Sequence, residues 1–411
     1  MRSIFRHRSG GFSLVELMVS VVIGLLALLF ATRLVVSGET SKDAALGGSD
    51  AMQNGLVALF SLSNDGGMAG WGLNDPILNG CDTTFSDTRG YQLLAAKRDG
   101  VEVHPLAPVV IQDNGANPDV ISFNSGTSSS GVGSLRLTAP YLNENYVVGA
   151  ERSPYGYNPG DVLVVAAEDT DLQYATPCTL IQTAGFDLSG GGKDARMLIQ
   201  TGSQYRYNPV PGMAQAYDAS TTFVFNLGRP DQLHFHTWSV QNGILRLRAT
   251  DLAGAETAGA SVIDNVVSIK AQYGFETRFP MAGRGYNPNP AGNSSAANAT
   301  TNGMQVSIWS ASMIDADGDG RVGAAGDYQR IAAVRLAVVA RSKTAEKPDS
   351  SGACSATTVQ PTVFATAVPR GAKQASVQVN VAVAGDTLSW QCYRYRVFET
   401  IVPFLNSQYR P

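Results

Sequence analysis

Residues 8–30 read "RSGGFSLVELMVSVVIGLLALLF", and this stretch constrains the chain more than any other. A leader carrying Arg2, Arg6 and Arg8 precedes it, and no charge follows Glu16 until Arg33. An apolar run of this length approaches the ~20 residues that span a bilayer. The basic leader is expected to stay on the cytoplasmic side. A cleaved secretory signal would end at a small-residue site after its apolar region. The following "ATRLVVSGETSKDAALGG" has no clear site of that kind.

Glu16 is the anomaly within the run. A carboxylate near a bilayer core costs on the order of 2.5–3.5 kcal/mol, and it persists where something neutralises it. One reading is an acid snorkelling at the membrane edge. The other uses the glycines: a cut after Gly11 makes Phe12 the new N-terminus, whose amine can pair with Glu16 of a neighbouring helix.

"GGFSLVELMVSVVIGLL" resembles the class III signal of type IV prepilins, with Gly at the cleavage point, Phe next and Glu four residues later. The resemblance implies cleavage between Gly11 and Phe12 by a prepilin peptidase and N-methylation of Phe12. It also implies that the helix packs into a filament core and that Glu16 helps recruit the subunit. The head carries a finer resemblance. "FNLGRPDQLHFHTWSVQNGILRLRATDL", "VIDNVVSIKAQYGFET", an acidic loop, "RIAAVRLAVVARS" and "YRYRVFETIVPFLN" follow in the order of PilW-type minor pilins, whose heads are pseudopilin-J-like. "WGLNDPILNGCD" departs from the family's pattern after the first helix, and the stretch between Cys81 and Phe223 is expanded.

The expected fold is α+β and pilin-like. A leader covers 1–11, and an N-terminal helix covers 12–63, transmembrane over about 12–36. A β-rich head covers 64–411. The outer half of the helix is expected to lie on a sheet through a Leu56/Leu59/Phe60 face. Gly38, Gly47, Gly48 and Gly55 are expected to weaken or bend it. After Gly66, short runs rich in β-branched and aromatic residues alternate with Gly, Pro and Asn. "VVSIKAQYGFE" and "RIAAVRLAVVARS" are the strongest strand candidates.

Four cysteines, Cys81, Cys178, Cys354 and Cys392, all follow the apolar run, in a compartment where disulfides form. Proximity in sequence favours Cys81–Cys178 and Cys354–Cys392 among the three connectivities. The formal net charge is −4, and loss of the three leader arginines makes it more negative. A nucleic-acid surface would be basic, so nucleic acid is not an expected partner.

"DADGDGRVGAAGD" is the clearest candidate ligand set. Asp315, Asp317 and Asp319 with Gly320 fit the first half of a calcium loop, and Arg321 would offer its carbonyl. Gly326 stands where the loop's twelfth-position acid belongs, and Asp327, one place later, is the nearby carboxylate expected to replace it as a ligand. The alternative is a solvated turn. His234 and His236 share one face of a strand, with no third ligand visible nearby in the sequence. "SGGGKDA" lacks the Ser or Thr that a phosphate loop needs after its Lys. Neither G-x-S-x-G nor H-E-x-x-H occurs, and an enzyme is not expected.

These readings favour a minor pilin that takes part in type IV pilus assembly initiation in a tip-proximal complex, supporting motility or adhesion. The expected partners are other minor pilins, the major pilin, the prepilin peptidase, a large tip adhesin and the inner membrane before assembly. The head is expected in the periplasm, then at the cell surface. Calcium is the only cofactor expected. The competing readings are a pseudopilin of a type II secretion system and a pilus-borne adhesin.

Overall fold

The computed structural model describes residues 13–127, 134–148, 156–168, 177–189, 196–277 and 304–408. One helix, Leu14–Met68, runs for 55 residues. At ~1.5 Å per residue it is a rod of about 82 Å. It continues past the expected end at Ser63 because its last turns are held from outside. The Asp65 carboxylate is engaged by the head, and Asn406 Nδ2 donates to the carbonyls of Gly67 and Met68 at 3.2 Å. Those carbonyls would otherwise lack intrahelical partners.

The seat of this helix overturns one expectation. Leu56 and Phe60 do not face the sheet; they are 47% and 73% exposed, and of the expected trio only Leu59 is partly buried against the core. The buried face is built of small residues: Gly47, Ala51, Gly55 and Ala58, followed by Leu62. Small side chains let a helix backbone approach a sheet closely. The Phe398 ring occupies the space a Cβ on Gly55 would need, and a Cβ on Gly47 would come within 3.0 Å of Ser342 Cβ. These glycines are therefore contact points with the sheet, and the helix is unbroken through them.

The rod lies on a four-stranded antiparallel sheet with the order Ile308–Ser310, Val266–Phe275, Ile331–Arg341, Tyr395–Pro403. The two strongest strand candidates are its central pair, with Ile269 opposite Val338 and Tyr273 opposite Val334. Nearly every residue in both is buried, because both faces are covered. Ile269, Ala271, Tyr273, Val334, Leu336 and Val338 join Ala58 and Leu62 in one core. Val267, Ala337 and Val339 pack under Val363, Phe364, Val379 and Val381 on the other side.

A second antiparallel sheet of five strands has the order Ala260–Asp264, Ile244–Ala249, His234–Gln241, Val120–Ser125, Val109–Gln112. The hairpin of His234–Gln241 with Ile244–Ala249 turns at Asn242 and Gly243, both with positive φ (52° and 74°). That two-residue turn matches strand twist and fixes the register, placing His236 opposite Ala249. The expanded middle forms a third sheet of eight strands, lying between residues 81 and 228. Val162, Val164 and Ala166 point into one core, and Leu163 and Val165 into another, as period-two strands buried on both faces require. Its parallel pair, Cys81–Thr84 with Pro177–Asp187, carries the buried Cys81–Cys178 disulfide. A second disulfide joins Cys354 to Cys392. The fold is thus α+β, a long apolar-headed helix with a mostly antiparallel β head.

Candidate functional site

Three places carry the residues singled out by sequence: the helix start, the acidic loop and the paired histidines. The membrane-length part of the helix, Leu14–Val35, is 22 residues long, and among the described residues none of it is buried. Gly11 and Phe12 lie outside the described residues. Glu16 sits in the first helical turn and accepts from the Ser13 backbone N–H at 3.2 Å. That contact supplies one orphan donor of the helix start. A single N–H leaves the exposed carboxylate with capacity for a charged partner.

The exposed apolar surface continues beyond the membrane-length part. Met52, Leu56 and Phe60 recur at four-residue spacing and form a stripe, with Val57 beside it. The small-residue face and this stripe are opposite sides of one helix. Sequence reasoning assigned burial to the larger residues; the glycine and alanine spacing at 47, 51, 55 and 58 was the available signal.

In the acidic loop, Asp315, Asp317 and Asp327 each bring an oxygen to within 4.8 Å of the others. Asp315 accepts from Gly318 N at 2.7 Å and Gly320 N at 3.0 Å, which curls the loop around its carboxylate. Asp319 lies outside that group and accepts from Arg321 N at 2.8 Å. Asp327 is fully buried. Its Oδ1 accepts from Ala316 N (2.6 Å) and Asp317 N (3.4 Å), and its Oδ2 from Gly323 N (2.8 Å) and Ala324 N (3.2 Å). Four donors make it the brace that closes the loop. Burial pushes its carboxyl up to about 7 against those hydrogen bonds, and the Asp317 charge adds to the rise. Burial, with the charges of Asp319 and Asp315, also raises Asp317. The loop is fastened to a neighbouring hairpin by Arg98 Nε, which donates to the Gly323 carbonyl at 2.8 Å.

The paired histidines have partners the linear sequence hides. His236 Nδ1 lies 2.8 Å from Asp65 Oδ2, and its Nε2 lies 2.8 Å from Asp251 Oδ1. His234 Nδ1 approaches Asp251 Oδ2 at 2.8 Å, off the line a hydrogen bond prefers. Trp238 Nε1 donates to Asp65 Oδ2 at 2.7 Å. Burial alone would lower the His236 pKa. The hydrogen bonds to Asp251 and Asp65, and both negative charges, outweigh it and bring the pKa to about 9. Burial would raise Asp251, but the contacts with His234 and His236 hold its carboxyl well below the usual range. An acid in the last turn of a helix opposes the helix dipole. The Nδ1–H of His236, aimed at Asp65, offsets that. The hairpin made Asp251 findable: folding the sequence about Asn242–Gly243 sets it across from His234.

Residues 237–406 match the family model of type IV pilus-assembly protein W, and residues 6–32 match the prokaryotic N-terminal methylation motif. No curated protein and no solved structure matches the chain. The first match begins within the His234–Gln241 strand, takes in the rest of the hairpin and the whole four-stranded sheet on which the rod lies, and stops short of the eight-stranded middle. Both matched families are those of structural, non-catalytic subunits. A prepilin motif at one end and a match to this pilus-assembly family over the last part of the head together support a prepilin-like minor pilin of the PilW type.

Proposed function

We propose that this minor pilin takes part in the initiation of type IV pilus assembly, in a tip-proximal complex, and thereby supports pilus-dependent motility or adhesion. The observation that carries the proposal is the unburied apolar helix Leu14–Val35 with Glu16 exposed in its first turn. Among the described residues the head covers none of that surface, so lipid covers it before assembly and neighbouring helices cover it afterwards. On this reading prepilin peptidase cuts between Gly11 and Phe12 and methylates Phe12. The Glu16 carboxylate then meets the Phe12 amine of an adjacent subunit, and only one axial stagger brings the two groups together. The head stands in the periplasm before assembly and on the fibre at the surface afterwards. Other minor pilins and the major pilin are the neighbours, and a large tip adhesin is a further partner.

The test is Glu16→Ala at native expression. Cleavage, read by N-terminal mass spectrometry, should persist while pilus number falls steeply. Wild-type pilus numbers in this variant would reduce Glu16 to a membrane-edge residue. The match to a pilus-assembly family favours this reading over a secretion pseudopilin. The eight-stranded sheet, outside the matched residues, favours an added surface-binding role for the middle of the chain.

A second proposal concerns the acidic loop. We infer calcium binding through Asp315 and Asp317, favoured by their convergence with Asp327 and by the turn at Gly318 and Gly320, both with positive φ. Asp319 and the Arg321 carbonyl complete the expected ligand set, while Asp327 braces the loop. A ligand at 100 times its dissociation constant adds about 2.7 kcal/mol. Calcium should therefore raise the melting temperature of the wild type and not of Asp317→Ala. Indifference of the wild type to both calcium and chelator would remove the ion from the account.

A further inference from the structure

We propose that His234, His236 and Asp251 form a site for one divalent transition-metal ion of the zinc type, with Asp65 orienting His236 from behind. One ring nitrogen from each of His234 and His236 and an Asp251 oxygen lie within 4.8 Å of one another. They come from two adjacent strand ends, and the Asn242–Gly243 hairpin fixes them relative to each other. Imidazole nitrogens with one carboxylate suit zinc and its neighbours, not calcium. Two histidines and an acid leave a fourth position open, as in sites that keep a water or an outside ligand.

The spacing is close to what a metal requires. Bonds of ~2.0–2.1 Å at a tetrahedral angle set ligand atoms about 3.3 Å apart. His236 Nε2 stands 2.8 Å from Asp251 Oδ1 and His234 Nδ1 stands 2.8 Å from its Oδ2, so a widening of about half an ångström lets the carboxylate share an ion with the two nitrogens. The off-line approach of His234 Nδ1 to Asp251 also indicates a contact better completed by an ion than by a proton.

The far side of His236 gives the independent observation. A metal-binding histidine usually donates its other ring N–H to a carboxylate, which fixes the tautomer and the ring plane. His236 Nδ1 meets Asp65 Oδ2 at 2.8 Å, and Trp238 Nε1 holds that same oxygen at 2.7 Å. Asp65 is buried at the end of the long helix, so its carboxylate is fixed before any ion arrives. His234 and Asp251 keep 33% and 22% side-chain exposure, which opens the site to solvent on one side. A bound ion would tie the hairpin through His236 and Asp65 to the end of the rod. The inference stands apart from the assembly role and from the acidic loop.

The experiment uses the full chain in detergent micelles, stripped with chelator and titrated with zinc alone, with cobalt as a spectroscopic probe. The wild type should take up one equivalent with micromolar affinity or better and give the visible absorption of four-coordinate cobalt. His234 is partly exposed and belongs to none of the apolar core clusters, so His234→Ala should weaken zinc binding at least 100-fold with an unchanged circular dichroism spectrum. Asp65→Asn keeps all three ligands and should weaken binding by about 10–100-fold. Asp317→Ala should bind zinc as the wild type does, which separates this site from the acidic loop. No uptake by folded wild-type protein, or full-strength uptake by His234→Ala, would overturn the proposal. Undiminished affinity in folded Asp65→Asn would overturn the orienting role of Asp65.

Discussion

The inner and outer parts of the N-terminal helix meet opposite demands with one backbone. Over Leu14–Val35 the side chains are mostly apolar and many are large, and among the described residues nothing buries them. From Gly47 to Met68 the helix is two-faced. Gly47, Ala51, Gly55 and Ala58 sit on the sheet, while Met52, Leu56, Val57 and Phe60 look outward. A helix that must bind its own head tightly benefits from a close approach, and small residues supply it. A helix that must meet lipid or other subunits benefits from a broad apolar surface, and large residues supply that. The outer part does both, and its exposed stripe extends the inner part's surface toward the head.

The largest break in this comparison should come from filling the close approach. Gly55→Val puts branched carbons where the Phe398 ring lies and should destabilise the head's hold on the rod by about 1–3 kcal/mol, the usual cost of overpacking. Thermal unfolding of the full chain measures it. Phe398→Ala in the same chain should restore part of the loss, because the two changes share one space. Equal stability of Gly55→Val and wild type would mean the small-residue face is not the seat.

A smaller effect should follow at the helix end. Asn406 Nδ2 contacts three carbonyls there, those of Gly67, Met68 and Ala69. Asn406→Ala should cost about 1 kcal/mol, the net worth of a typical hydrogen bond, because the exposed carbonyls turn to water. Faster amide exchange confined to the last turn would locate the loss.

The smallest change in stability should come from the outward stripe. Phe60→Ser swaps residues of similar helix propensity at an exposed position, so stability should stay within about 0.5 kcal/mol. Entry into the fibre, read as the subunit's share in sheared pili, should nonetheless fall. A variant that enters normally would separate the outer stripe from the inner surface.

Much of this was legible in the sequence, for identifiable reasons. The apolar run and Glu16 stand out because local composition alone defines a membrane-length helix. The central strands of the four-stranded sheet were visible because burial on both faces makes them almost wholly apolar. The hairpin turn at Asn242–Gly243 fixes a register and so gives Asp251 as the partner of His234, although adjacency along the chain hides it. The seat of the helix was misread because the larger residues were taken for the buried ones. Here contact is made through glycines whose value lies in what they leave empty. Asp65 could not be found from spacing at all, since it meets His236 and Trp238 across more than 170 residues. Asp327 had the position of a ligand but serves as a four-donor brace, a role set by backbone N–H groups that the sequence does not display.

The strand Tyr395–Pro403 follows the rod lengthwise. Gly47 touches Ser342, the strand-end residue whose N–H donates to the Arg394 carbonyl; Gly55 touches Phe398, and a Cβ at Gly66 would meet Val402 at 3.3 Å. Gly47 to Gly66 spans about 28 Å of helix at ~1.5 Å per residue. Residues 394 to 402 span about 26 Å of strand at ~3.3 Å per residue. The two advance together, contact by contact. A pull along the rod therefore loads these contacts in shear, all at once, whereas a crosswise seat would let them peel in turn. Tension along the helix has to slide the whole seam before the head lets go.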